Sequence, residues 1–139
     1  MGQTGACVAA IVTTGEPSRI AEMAATCQAA ARSGAAVRVF FRDESIPPIC
    51  RPDRARQRGI LDVSSAATEG SAGVAQAGGL EAVLEELAGS GDVRLYACSS
   101  SLYLWGVSAA DLLPAISGSR GLVAFLAEDL ADATQVLSY

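Results

Sequence analysis

Short β-branched apolar runs alternate along the chain with longer segments whose apolar positions recur at helical spacing. "ACVAAIVT", Ala6 to Thr13, reads as a strand buried on both faces, ended by Gly15 and Pro17. In "SRIAEMAATCQAAARSG", Ile20, Met23, Ala24 and Cys27 fall on one helical stripe, with Pro17 suited to the first turn and Gly34 as a stop. "AVRVFFR", Ala36 to Arg42, predicts a second strand. "GLEAVLEELAGSG" predicts a helix with Leu80, Val83, Leu84 and Leu87 on its apolar side, and "VRLYAC", Val93 to Cys98, a third strand. "SAADLLPAISG" carries Ser108 and Asp111 at capping spacing and predicts a helix ending at Gly118. "GLVAFL" reads as a fourth strand, "AEDLADA" as a short helix and "TQVLSY" as a fifth strand. The alternation predicts an α/β fold, a three-layer α/β/α sandwich on a mainly parallel sheet of roughly five strands. A chain of 139 residues suits a single domain, 1–139.

One stretch breaks the rhythm. From Asp43 to Gly79 the chain is rich in Pro, Gly, Ser and Arg and has little periodicity, apart from "GILDVSSAA", which reads as a turn of helix. An irregular loop of that length in a compact domain marks a lid, a binding loop, an oligomer contact or a disordered insertion.

Composition narrows the chemistry. A net charge of −5 argues against nucleic-acid binding. All ten basic residues are arginine, and histidine and lysine are absent. That removes Ser–His and Cys–His catalysis, histidine metal sites, Schiff-base lysines and the phosphate-loop lysine. No segment is long and apolar enough for a membrane span, and the N-terminus has no basic leader, so the expected location is the cytoplasm, without membrane contact. There, four cysteines are expected as free, catalytic or metal-bound thiols rather than disulfides.

Cys7 in the first strand and Cys27 on the first helix read as small core hydrophobes. Cys98 differs, because it ends an apolar strand and is followed at once by Ser99, Ser100 and Ser101. Ligands of an open parallel sheet bind outside the carboxyl ends of its strands. If "SSSLYLWG" opens a helical turn, Cys98 stands near its N-cap, and the amides and hydroxyls of the three serines are placed to steady a thiolate or an anionic persulfide. This requires a sulfur reachable from solvent. Cys50, in "PPICRPDRARQR", is the rival or helper thiol, since the cations of Arg51, Arg54, Arg56 and Arg58 also favour a thiolate. Tyr103 and Trp105 flank the cysteine loop as pocket walls, subunit contacts or, for Trp105 above all, core packing. Glu128, Asp129 and Asp132 read as an exposed helical edge without a role.

Several thiol signatures are absent. No cysteine stands three positions from Cys98, as a thioredoxin-type pair requires. Leu104 occupies the place of the phosphatase-loop arginine, and no cysteines have zinc-knuckle spacing. The glycines from Gly70 to Gly79 do not follow a strand in dinucleotide-binding register. No metal or organic cofactor is expected.

"VRLYACSSSLYLWGVSAADLL" resembles the DsrE/DsrF-like sulfur-relay superfamily in its order of strand, cysteine, small-residue turn, glycine and acidic helix start. "SGSRGLVAFLAEDLADATQVLSY" is similar to that family's closing strand–helix–strand, and "TTGEPSRIAEMAATCQAAARSGAAVRVFF" to its first β–α–β unit. The resemblance implies a parallel α/β/α sandwich, assembly as a homo-oligomer (trimer or hexamer), and a persulfide on Cys98 passed between donor and acceptor proteins. The stretch from Asp43 to Gly79 is longer and more basic than in the simplest members, and some members lack the cysteine. Two other roles remain open on the residues alone. One is a non-catalytic oligomeric module binding a small ligand or a partner protein at the strand-end pocket. The other is a redox pair of Cys50 with Cys98.

Overall fold

The computed structural model describes residues 5–60 and 79–139. Strand β1 (Cys7–Val12) leads into helix α1 (Pro17–Arg32) and strand β2 (Ala36–Phe41). Two 3-10 turns, Asp43–Ser45 and Pro47–Ile49, and a short helix α2 (Pro52–Gln57) follow. Helix α3 (Gly79–Ala88), strand β3 (Val93–Cys98) and helix α4 (Ser99–Trp105) come next, then a 3-10 turn at Ala109–Asp111 and strand β4 (Gly118–Arg120). Helix α5 (Leu122–Ala124) continues as a π-helical turn, Phe125–Leu130, before strand β5 (Gln135–Ser138).

The five strands form one sheet in the order β4-β3-β2-β1-β5, and every pairing is parallel. From β1 to β4 the chain steps in one direction along the sheet. It then returns past all four strands to lay β5 outside β1. The two routes use opposite faces. On the first face Val8, Ala10, Val12, Val37, Val39, Phe41, Leu95 and Ala97 form one core with the apolar stripe of α1 and with Leu80, Leu84 and Leu87 of α3. Ala55 of α2 and Leu102 of α4 join that core. On the second face Ala9, Phe40 and Cys98 are covered by Phe125, with Leu122 and Leu130 packed alongside. This is an α/β sandwich with layers of unequal weight.

The predicted stripes of α1 and α3 face the core, with Ile20, Met23, Ala24, Cys27, Leu80, Leu84 and Leu87 buried and Val83 packed against them. Two sequence expectations fail. "GLVAFL" is helical, not a strand; β4 is the three residues just before it. Its inward side chains, half-buried Leu122 and buried Phe125, stand three apart as on a helix while Val123 turns outward, and a short apolar run does not separate the two cases by itself. "SAADLLPAISG" keeps its capping box, yet the helix stops after Asp111. Pro114 disfavours helical backbone at the residue before it and lacks a helix-interior N–H, and Leu112 is already extended. Within 43–79, the described part is two 3-10 turns and α2 rather than irregular chain, and most of "GILDVSSAA" lies outside the described residues. Among the described residues no helix is long and apolar enough to cross a membrane.

Candidate functional site

The carboxyl ends of β3 and β4 are where the chain parts. After β3, α4 packs on the first face through Leu102; after β4, Leu122 and Phe125 pack on the second. The divide between neighbouring strands whose continuations leave on opposite faces is where open α/β sheets bind ligands. Cys98 is the last residue of β3, and its register partner across that divide is Arg120, the last residue of β4.

Cys98 is also the N-cap residue of α4, as the sequence predicts, with φ −66° and ψ 122°. Two other expectations are corrected. The thiol is not open to solvent: only 2% of the residue is exposed, and its neighbours in the cluster are Ala9, Phe40 and Phe125. Phe40 and Phe125 stack with centroids 4.5 Å apart and planes 18° from parallel, which closes the second face beside the sulfur. The expected serine cradle is also incomplete. Ser99 and Ser100 are exposed, whereas Ser101 is buried, and its Oγ accepts the Asp43 backbone N–H at 3.1 Å. With only seven residues, α4 is too short for its amino end to be an anion site by itself.

The loop after β2 completes the rim. Asp43 holds a left-handed backbone, φ 56°, which is uncommon for a residue with a side chain. It is pinned on both sides, by Ser101 at its N–H and by Trp105, whose Nε1 donates to the Asp43 carbonyl at 2.8 Å. Trp105 packs on the first-face core, so it positions this loop rather than walling a pocket. Tyr103 points away, 84% exposed. The Asp43 carboxylate pairs with Arg42 at 3.5 Å. The loop also sits hard against the β1–α1 turn, since a Cβ on Gly15 would lie 2.8 Å from the Glu44 carbonyl oxygen.

Cys50 is buried in the first-face core and donates its thiol to the Ile46 carbonyl at 3.3 Å. Burial pushes its pKa up to about 11, with Asp111 adding to the rise and Arg58 opposing it. The cation-activated thiol read from "PPICRPDRARQR" is therefore corrected. Two of the arginines following Cys50, Arg54 and Arg58, serve another group, while Arg56 is exposed. Asp111, itself buried, takes Arg58 Nε at 2.5 Å and Arg54 Nη1 at 3.3 Å. It also accepts the Ser108 backbone N–H at 3.0 Å and its hydroxyl at 3.2 Å. Arg51 is exposed and contributes its backbone N–H to the Asp111 carbonyl at 2.7 Å. Segment 49–51 thus runs beside 111–113, with Cys50 bridged to Leu112. The sheet stands between Cys50 and Cys98, which lie in different cores, so the geometry does not bring the two thiols together as a redox pair.

Sequence reasoning missed Arg120 at this end of the sheet. Arg120 lies with its guanidinium 5.2 Å from the centre of the Tyr96 ring. It binds Glu128 through Nη2 and Asp129 through Nε, the latter at 2.6 Å. Glu128 and Asp129, two of the three carboxylates expected to be a roleless edge, are the partners of the cation whose strand position is paired with Cys98; an arginine followed eight and nine positions on by acids was the available signal. Cys7, half-buried in β1, is the least enclosed of the four free cysteines.

The arrangement defines an α/β sandwich with a strand-end site. Its fold is similar to the solved structure of a protein of unknown function, MTH1491 from Methanobacterium thermoautotrophicum, at a TM-score of 0.66 and 15% identity, over 96% of this chain and 99% of that one. At that identity the likeness shows the fold alone. No family model and no curated protein matches the chain.

Proposed function

We propose that the chain is a cytoplasmic sulfur-relay protein of the DsrE/DsrF-like type, carrying sulfane sulfur as a persulfide on Cys98. What supports this, beside the sequence resemblance, is one placement: Cys98 ends β3 at the point where the chain divides, with Arg120 as its neighbour on the next strand. In the transfer, the Cys98 thiolate attacks the outer sulfur of a donor persulfide, R–S–S–H. The donor S–S bond breaks, the donor leaves as R–S⁻ with the electron pair, and Cys98–S–S–H is formed. No electron is gained or lost overall, and no metal or organic cofactor takes part. An acceptor thiolate reverses the step. The partners are donor and acceptor proteins and further copies of the chain, as a trimer or hexamer. Because the sulfur is shut in, loading requires the segment carrying Phe125 to move. Intact mass after incubation with polysulfide tests the role. One added sulfur is expected in the wild type and in Cys50→Ser, and none in Cys98→Ser; no gain in the wild type overturns it.

The burial of Cys98 favours a second role, a non-catalytic oligomeric module that binds a small ligand or a partner protein at the same rim. Ser99 and Ser100 are exposed there beside the strained Asp43. Tyr103 and Leu104 of α4, 84% and 81% exposed, present apolar surface next to it. Absence of any sulfur gain in the native wild type is the outcome this role expects.

A further inference from the structure

We propose that residues 121–130 form a lid over Cys98, and that Arg120 is its latch. This goes beyond the relay role and stands whether or not Cys98 carries sulfur. Among the described residues, this segment is what covers the second face at Cys98, and its hold there is slight. Phe125 is its single fully buried side chain, while Leu122 and Leu130 are half-buried. Its outer side is solvent-facing, with Val123 79% exposed and Leu126 also exposed. The backbone changes from α to π geometry at Phe125, a feature of functional segments because the wider turn packs and hydrogen-bonds less regularly.

The latch joins the two ends of the lid. Arg120 lies immediately before it, fixed in β4 and resting on Tyr96, and its guanidinium grips Glu128 and Asp129 near the far end. These are charge-assisted bonds at a part-exposed site, strong enough to bias a small segment and weak enough to be exchanged. Breaking them frees the lid without disturbing the first-face core, to which it contributes no buried residue. Elements with little buried apolar contact open at lower free energy than the whole fold. Opening leaves Arg120 as the cation alongside the uncovered Cys98.

The test uses two cysteines of one chain. Cys27 is fully buried on the inner side of α1, on the opposite face, so it reacts only when the fold opens globally. Every cation is arginine, and tryptic cleavage places Cys98 alone in Leu95–Arg120 and Cys27 alone in Ile20–Arg32. N-ethylmaleimide labelling is followed on these two peptides. In the wild type Cys98 is expected to react about tenfold or more faster than Cys27. The double variant Glu128→Gln/Asp129→Asn is expected to raise the Cys98 rate by about a further tenfold, the scale of one charged hydrogen bond, and so to widen the ratio to Cys27. Arg120→Gln, where Cys98 lies in the longer peptide Leu95–Tyr139, must widen it too. Equal rates for the two cysteines in the wild type overturn the lid. A ratio unmoved by either variant overturns the latch, including the case where a variant merely loosens the whole fold and speeds both cysteines together.

Discussion

Cys98 and Arg120 are partners across the last rung between β3 and β4, so their side chains leave the sheet on the same face. Arg120 spends its charge on Glu128 and Asp129, while Phe125 covers the thiol. A cation and a sulfur are thus neighbours in the fold, with a short segment holding one occupied and the other hidden.

If Phe125 is the weight of that cover, its truncation must cost what a buried aromatic costs. Phe125→Ala is expected to lower stability by about 3 kcal/mol, from lost burial and the cavity left against Phe40. Urea unfolding measures it, and a loss below about 1 kcal/mol shows that the second face does not depend on this ring.

Asp43 holds a backbone that glycine adopts without strain. Asp43→Gly is expected to leave stability unchanged or raise it by up to about 1 kcal/mol, the scale of the left-handed penalty. Trp105→Phe keeps the ring but loses the donor to the Asp43 carbonyl, and is expected to cost about 1 kcal/mol. A large loss in Asp43→Gly instead shows that its carboxylate, not the backbone, holds the loop.

The Ser108 backbone N–H holds the Asp111 carboxyl below the usual aspartate range, and Arg58 adds to this against the opposing effect of burial. A pKa lowered by folding stabilises the fold above the ordinary value of about 3.9, and that stability is lost as pH falls through the lower folded value. The melting temperature of Asp111→Asn is expected to lie several degrees below wild type at pH 7. The gap should narrow as the pH falls below about 4. A gap that stays constant through that range contradicts an ionised Asp111 as the anchor of Arg54 and Arg58.

Burial raises the thiol pKa of Cys50 to about 11 and that of Cys7 in the same direction, Cys7 being the less enclosed. Native alkylation at neutral pH is expected to spare Cys50 over the time in which Cys7 is modified, and the Cys7 rate should climb into alkaline pH, beyond the range of a free thiol. Rapid labelling of Cys50 at neutral pH restores the cation-activated thiol set aside above.

Much of the sheet was legible because β1 is a continuous apolar run, β2 and β3 are apolar runs broken only by Arg38 and Arg94, and α1 and α3 carry clear stripes. The last third was less so. β4 is three polar and glycine residues, "GSR", which carry no strand signal, and the apolar run after it belongs to the lid. The rim position of Cys98 followed from a strand ending in cysteine and serine. Its burial did not, because that depends on Phe125 arriving from beyond β4. Nor does local sequence show Arg54 meeting Asp111, a contact between residues 57 positions apart. Proximity to arginines in the chain misled at Cys50, whose side chain turns into the core while those of Arg54 and Arg58 reach Asp111.

The sulfur role comes down to where a transferred sulfur resides. Native protein is treated with polysulfide, capped with an alkylating reagent and digested with trypsin, and the persulfide adduct is located by peptide mass. The expected adduct is on Leu95–Arg120, whose single cysteine is Cys98, and it disappears on adding excess thiol. An adduct confined to Met1–Arg19, the Cys7 peptide, or no adduct on any peptide, contradicts a persulfide carried at the end of β3.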